Sequence, residues 1–71
     1  MRVLANDPNS HGAQGCDRVF DADGEDVLLQ LRPAGAADHQ AISPNFVPEG
    51  EILGRMSKDV FLEAARVLGP R

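Results

Sequence analysis

The stretch from Cys16 to Arg32, CDRVFDADGEDVLLQLR, constrains the fold more than any other part of the chain. Two apolar runs flank the pair Asp23-Gly24, which favours a two-residue type I′ turn because Asp and Gly tolerate the positive φ angles that this turn requires. The stretch therefore predicts a β-hairpin. A two-residue loop would place Phe20 opposite Val27.

This register sorts the hairpin side chains into two faces, because side chains alternate sides along a strand. The predicted core face carries Cys16, Arg18, Phe20, Val27, Leu29 and Leu31. The predicted outer face carries Asp17, Val19, Asp21, Asp26, Leu28, Gln30 and Arg32. We expect the first face to pack on the rest of the domain.

A C-terminal helix is the second predicted element. Ser57 is a good N-cap residue, and Gly69 followed by Pro70 is a typical stop signal. The predicted inward face of this helix consists of Val60, Phe61, Ala64, Val67 and Leu68. Leu62 lies on the other side, about 150° from the centre of that face at 100° per residue.

These elements predict an α+β fold, in which a small antiparallel β-sheet of three or four strands, with the hairpin at its centre, packs one face on the C-terminal helix. Further strands are expected in Met1–Ala5, His39–Ser43 and Glu51–Met56. Residues 1–15 are interpreted as a flexible N-terminal arm with a short edge strand, and residues 16–71 as a single domain.

Size and charge narrow the classes of function. A chain of 71 residues has a thin core, and its single cysteine excludes an internal disulfide, so we expect a protein partner or a homodimer to reinforce it. The net charge of −4 argues against direct nucleic-acid binding. No apolar run is long enough to span a membrane, which favours a cytoplasmic protein. Abundant Ala, Gly, Arg and Asp with one Lys suggest a GC-rich bacterial or phage genome.

The sequence contains no catalytic, cofactor or metal motif. With Gly24 at position 6 of a calcium loop, positions 1 and 12 would be Val19 and Gln30, where carboxylates are required. Cys16, His11 and His39 lack the paired spacings of a zinc site and the third residue of a nucleophile pair. We therefore predict a protein that is not an enzyme and that holds no metal or cofactor.

Two groups of side chains are candidates for protein binding. Leu62, Leu28 and Val19 are apolar residues on faces that a single helix cannot cover. Asp21, Asp23 and Asp26 belong to an acidic cluster around the hairpin, which is either a docking surface for a basic partner or a solubilising end. A homodimer through the leucines is the simplest arrangement.

The chain resembles the small BldB-like proteins of actinobacteria, which are usually encoded beside helix-turn-helix regulators. The matching features are Ser10 ahead of Gly15-Cys16, a strand that begins there, a second strand near Val27–Leu31, and Phe61-Leu62 in the last helix. The resemblance implies a regulatory protein without enzymatic activity. We thus predict a non-catalytic interaction module that regulates or assists a larger protein. The alternatives are an acidic phage-type inhibitor that mimics nucleic acid, and a small metal- or thiol-dependent enzyme.

Overall fold

A computed structural model describes residues 1–7, 17–42 and 47–70 of the chain. Its elements are β1 (Arg2–Asn6), β2 (Arg18–Asp21), β3 (Val27–Gln30), β4 (Arg32–Pro33), α1 (Ala36–Ala41), β5 (Gly54–Arg55) and α2 (Lys58–Leu68). Strands β1, β2 and β3 form an antiparallel sheet in that order, and β4 pairs with β5. Helix α2 packs on β1 and β2. The predicted α+β fold is confirmed.

The hairpin is present, but the predicted register is wrong by one residue. Asp21 pairs with Val27 and Val19 pairs with Leu29, so residues 22–26 form the connection. Gly24 has a φ of 75°, and no other described residue of the hairpin has a positive φ. A type I′ turn needs positive φ at both central positions, so Asp23-Gly24 does not form one.

The shift exchanges the two faces of β2. Val19 is buried at 3% exposure, whereas Phe20 is half-buried and shares the opposite face with its partner Leu28. The prediction that Val19 lies on the outer face is therefore wrong. Cys16, which the sequence places on the core face, lies outside the described residues.

Strand β1 contributes two consecutive buried residues, Leu4 and Ala5. Two neighbours in a regular strand point to opposite faces, but the pairing with β2 shifts between Val3 and Ala5. Such an irregularity adds a residue to one strand and rotates the chain. It allows both side chains to face α2.

Helix α2 begins and ends where the sequence predicts. Ser57 occupies the N-cap position, and Gly69 ends the helix with a φ of 83° and an N–H that donates to the Ala65 carbonyl at 3.1 Å. Val60 and Ala64 face the sheet. Phe61, however, is 62% exposed, so its predicted place in the core is wrong.

The segment between β4 and β5 also departs from the prediction. Ala36–Ala41 is helical, so the strand expected in His39–Ser43 does not form, and Ser43 lies outside the described residues. Alanine and glutamine favour a helix over a strand, and the Asp38 carboxylate accepts the N–H of Gly35 at 3.1 Å. Of the strand expected in Glu51–Met56, only Gly54–Arg55 forms.

Candidate protein-interaction surface

The interior of the described part of the chain is small. It contains the side chains of Leu4, Ala5, Val19, Val60 and Ala64, with Met56, Val67 and Leu68 packed against them. Four of the five buried apolar side chains are valine or alanine, and the fifth is leucine. No aromatic ring of the described residues is buried there. These small side chains let α2 approach the sheet closely. The helix packs on β1 and β2.

Asp17 fixes the start of α2 against the sheet. Its carboxylate is 1% exposed and accepts the Ser57 N–H at 2.7 Å. The same carboxylate accepts two hydrogen bonds from Arg32, from Nε at 3.3 Å and from Nη2 at 3.1 Å. One carboxylate thus joins the beginning of β2, the beginning of β4 and the N-terminus of α2.

The ionised form of Asp17 is favoured in the folded chain. Burial alone would raise the pKa of this carboxyl, but the Ser57 N–H and the Arg32 guanidinium lower it by more, so that the pKa lies below its ordinary value of 3.8. The Ser57 hydroxyl makes no capping hydrogen bond, and Asp17 satisfies the first backbone N–H of the helix region instead.

A second carboxylate, Asp38, holds α1 to β5. It accepts hydrogen bonds from Arg55 Nε at 2.7 Å and from Arg55 Nη2 at 2.6 Å. These bonds and the Gly35 N–H lower the pKa of Asp38 to about 2. The pair is a bidentate arginine–carboxylate contact that orders the connection between the two short strands.

Strand β3 is the uncovered part of the sheet. Every residue from Val27 to Gln30 is exposed, with Leu28 and Leu29 each at 49%. Helix α2 packs on β1 and β2 and stops short of β3. An apolar strand is therefore in contact with solvent on the face that carries the helix.

A groove of about 200 Å³ separates β3 from α2. Its walls are Val27 and Leu29 from the strand and Phe61 from the helix. The described residues that line it are Leu4, Val19, Val27, Leu29, Phe61, Ala64, Ala65 and Leu68. These eight side chains are apolar, so this surface suits an apolar partner, and none of them can take part in acid–base or nucleophilic chemistry. We call it the α2–β3 groove.

Leu62 lies beside the α2–β3 groove rather than in it. It is 64% exposed and lines a separate shallow concavity with Met56, Lys58 and Phe61. Phe61 belongs to both surfaces, so the apolar area continues around α2. The structure therefore brings the predicted binding residue Leu62 next to the groove.

The opposite face of the sheet carries a second apolar row. Val3 pairs with Phe20, and Phe20 pairs with Leu28, so these three side chains lie side by side across the strands. Val3 is 42% exposed. Leu28 and Leu62 consequently belong to different surfaces, and one flat interface cannot contain both.

The acidic cluster is divided by the fold. Asp23 and Asp26 are exposed at the end of the hairpin, whereas Asp21 accepts a hydrogen bond from Arg2 at 3.4 Å. Asp17 is inside the molecule and is paired with Arg32. The acids that remain available occupy only the tip of the hairpin.

No group of three His, Cys, Asp or Glu side chains in the described ranges could hold a metal ion. His39 lies in α1, and Cys16 and His11 lie outside the described residues. Neither described helix is long and apolar enough to cross a lipid bilayer.

The sequence pattern predicts that Val27, Leu29 and Phe61 lie in the core, so it does not identify these three residues as part of an exposed surface. One signal was available. Val27-Leu28-Leu29 is a continuous apolar run rather than an alternating one, which indicates a strand with two apolar faces. One helix can cover only one of them.

Comparison with known proteins adds no relative: no family model, curated protein or solved structure matches this chain.

Proposed function

We propose that this protein is a non-catalytic protein-interaction module that regulates or assists a larger protein. The observation that carries the proposal is the α2–β3 groove, an apolar surface that the chain itself leaves uncovered. Phe61 is 62% exposed at its rim, although a phenylalanine side chain gains about 1.5–3 kcal/mol when it is fully buried. A partner that covers the groove would gain that free energy.

The thin core supports the same proposal. Five small or medium side chains form the interior, and a partner that binds only the folded form adds to the stability of such a domain. A contiguous exposed apolar patch that contains an aromatic side chain is typical of binding sites. The resemblance to BldB-like proteins, which implies a regulatory role, points in the same direction.

The acidic alternative has less support. An inhibitor that mimics nucleic acid needs a track of exposed carboxylates spaced along its surface. Here Asp17 is buried and Asp21 is engaged by Arg2, which leaves Asp23 and Asp26 at one end of the hairpin.

The proposal is tested by capture from a lysate of the source organism with three immobilised proteins: the natural chain, the Phe61→Glu variant and the Ile52→Glu variant. Ile52 is 86% exposed and lies outside the α2–β3 groove, so it is a matched control for placing a charge on an exposed apolar site. We expect one larger protein to be retained by the natural chain and by Ile52→Glu, and to be lost with Phe61→Glu.

Circular dichroism of both variants establishes that they remain folded. The proposal fails if the natural chain and Phe61→Glu retain the same proteins in the same amounts, because the groove then contributes nothing to binding.

A further inference from the structure

We propose that the outer edge of β3 accepts an extended segment of another protein as a fourth strand of the sheet. This segment is apolar in its middle and carries Lys or Arg at the end that lies beside Asp26. The inference goes beyond the proposed function, because an added strand lies in the plane of the sheet, whereas the α2–β3 groove lies on one face of it. It is carried by the backbone direction of β3, by its exposed leucines and by the acid at its start.

The direction of the backbone groups of β3 follows from one hydrogen bond beside β2. The Asp7 N–H donates to the Asp17 carbonyl at 3.0 Å, so the backbone of Asp17 is directed toward β1. Backbone groups alternate sides along an antiparallel strand, and those of Phe20 are therefore directed toward β3, where they meet Leu28. The N–H and C=O groups of Leu28 thus point inward, and those of Leu29 point away from β2.

No described element covers this outer edge. Among the elements of the described ranges, β3 contacts only β2, and it is the last strand of its sheet. Edge strands are often protected by Pro, Lys or a β-bulge, but Val27–Gln30 contains neither residue and pairs with β2 without a shift of register. The outward N–H and C=O groups of Val27 and Leu29 can therefore pair with a strand from another chain.

The exposed side chains of β3 determine the character of the added strand. Leu28 and Leu29 are each 49% exposed and, as consecutive residues of a regular strand, lie on opposite faces of the sheet. Side chains that are directly opposite on neighbouring strands lie about 4.5–5.5 Å apart, so each leucine would contact a side chain of the added strand. A strand with apolar residues on both faces removes both leucines from water, which a helix on one face cannot do.

Charge favours a basic segment over β3 of a second copy. Asp26 directly precedes β3, is exposed, and forms no ion pair within the described part of the chain. The basic residue that follows β3 is Arg32, which is bound through two guanidinium nitrogens to the buried Asp17 and belongs to the β4–β5 pair. A second copy of β3 therefore brings no free cation to Asp26, whereas a segment with its own Lys or Arg does.

A synthetic peptide tests the pairing. Its middle consists of Val, Ile and Thr, and it carries two Lys at each end, so that one lysine pair lies beside Asp26 in either strand orientation. The matched control peptide has Glu in place of every Lys. In an NMR titration of the natural chain, we expect the Kd of the lysine peptide to be at least about tenfold lower than that of the glutamate peptide.

Amide hydrogen exchange locates the contact. Without peptide, the Leu28 N–H is bonded to β2 and should exchange slowly, whereas the Leu29 N–H faces solvent and should exchange quickly. Saturation with the lysine peptide should slow exchange at Leu29 at least about tenfold. The same concentration of the glutamate peptide should leave it within about twofold of the rate without peptide.

A proline on the edge tests the role of the backbone. Leu29→Pro removes the outward N–H and no hydrogen bond to β2, so the monomer should stay folded. Leu29→Ala is the matched control, because both variants lose the leucine side chain and only Leu29→Ala keeps the N–H. We expect the Kd of the lysine peptide to be at least about tenfold higher for Leu29→Pro than for Leu29→Ala. If circular dichroism shows Leu29→Pro to be unfolded, exchange at Leu29 in the natural chain decides.

The acid at the start of β3 is tested separately. Asp26→Asn removes the proposed ion pair and should raise the Kd of the lysine peptide about threefold or more. Asp59→Asn makes the same charge change at an exposed acid in the first turn of α2 and should leave the Kd within about twofold of the natural value.

Either of two results would overturn the inference. One is a lysine peptide that leaves exchange at Leu29 unchanged at about 1 mM, or that binds Leu29→Pro as tightly as Leu29→Ala, since the backbone edge would then play no part. The other is slow exchange at Leu29 without peptide in a chain that sediments as a dimer, since a second copy would then occupy the edge. Neither result bears on the capture experiment with Phe61→Glu, which tests the α2–β3 groove independently.

Discussion

Strands β2 and β3 are neighbours that each place apolar side chains on the face that carries α2, yet the exposure of these side chains differs. Val19 in β2 is 3% exposed, whereas Leu29, its direct partner in β3, is 49% exposed. The difference lies in the position of α2, which packs on β1 and β2. An α-helix is about 10 Å wide and strands are about 4.8 Å apart, so one helix covers about two strands.

The comparison teaches that an apolar pattern in a strand does not reveal which surface covers it. For β2 the cover is α2 of the same chain. For β3 the chain supplies no cover among the described residues, and the cover we propose is a protein partner. Substitutions on either side of this boundary should therefore have very different effects.

The largest difference in stability is expected between substitutions at two adjacent residues of α2. Val60→Asp buries a carboxylate at a site that is 1% exposed and belongs to the apolar core, so it should cost more than about 3 kcal/mol and unfold the domain. Phe61→Asp, one residue later, should change the free energy of unfolding of the monomer by less than about 1 kcal/mol. Thermal denaturation followed by circular dichroism compares the two. Equal losses of stability in the two variants would show that Val60 and Phe61 do not differ in how far the folded monomer buries them.

The next largest effect is expected at Asp17, whose carboxylate contacts Ser57 at the start of α2. Asp17→Asn removes the charge that binds Arg32 and weakens the acceptor of the Ser57 N–H. Because Arg32 is half exposed, we expect a cost of about 2 kcal/mol rather than the larger loss of a fully buried pair. Urea denaturation at neutral pH measures it. No loss of stability would mean that the small apolar core positions the helix without Asp17.

The pH dependence of this contact has a defined sign. The pKa of Asp17 is lower in the folded chain than its ordinary value of 3.8, so its contribution to stability is complete above that value and declines as the pH falls below it. The difference in unfolding free energy between the natural chain and Asp17→Asn should therefore shrink below pH 3.8. A difference that stays constant down to pH 2 would contradict the assignment of the ionised carboxylate.

The connection between β2 and β3 should tolerate substitution of Gly24 less well than an exposed loop usually tolerates substitution. Gly24 has a φ of 75°, and a Cβ there would meet no other atom within 4 Å, so only the backbone angle constrains this position. Gly24→Val should cost more than about 1 kcal/mol, because a β-branched residue is strained at positive φ. Gly24→Asn, which tolerates that angle better, is the control. An unchanged melting temperature for Gly24→Val would show that the connection adopts another conformation.

The smallest effect is expected on the uncovered side. Leu29→Ala should cost the dilute monomer less than about 1 kcal/mol, whereas Val19→Ala, its cross-strand partner, should cost about 1–2.5 kcal/mol although it removes fewer atoms. Denaturation at low protein concentration separates this effect from association. A larger loss for Leu29→Ala would mean that β3 is covered within the monomer.

Much of the local structure could be predicted from the sequence. The hairpin followed from two apolar runs around Asp23-Gly24, and α2 followed from Ser57, Gly69 and a helical apolar period. These signals are local, because capping, glycine φ angles and side-chain periodicity involve residues near one another in the chain. The predicted register is wrong because the connection consists of residues 22–26 instead of the two-residue turn, and a shift of one residue in the pairing moves every side chain of one strand to the other face.

Tertiary structure decided the candidate site. The helical period places both Val60 and Phe61 on an apolar side of α2, and only the position of the helix over β1 and β2 determines that Val60 is buried and Phe61 is exposed. That position depends on Asp17, which links Ser57 and Arg32 across the fold. In sequence Asp17 is one of several acids near the hairpin. The amino-acid pattern thus determined the two hairpin strands and α2, whereas contacts between distant residues determined which apolar side chains remain for a partner.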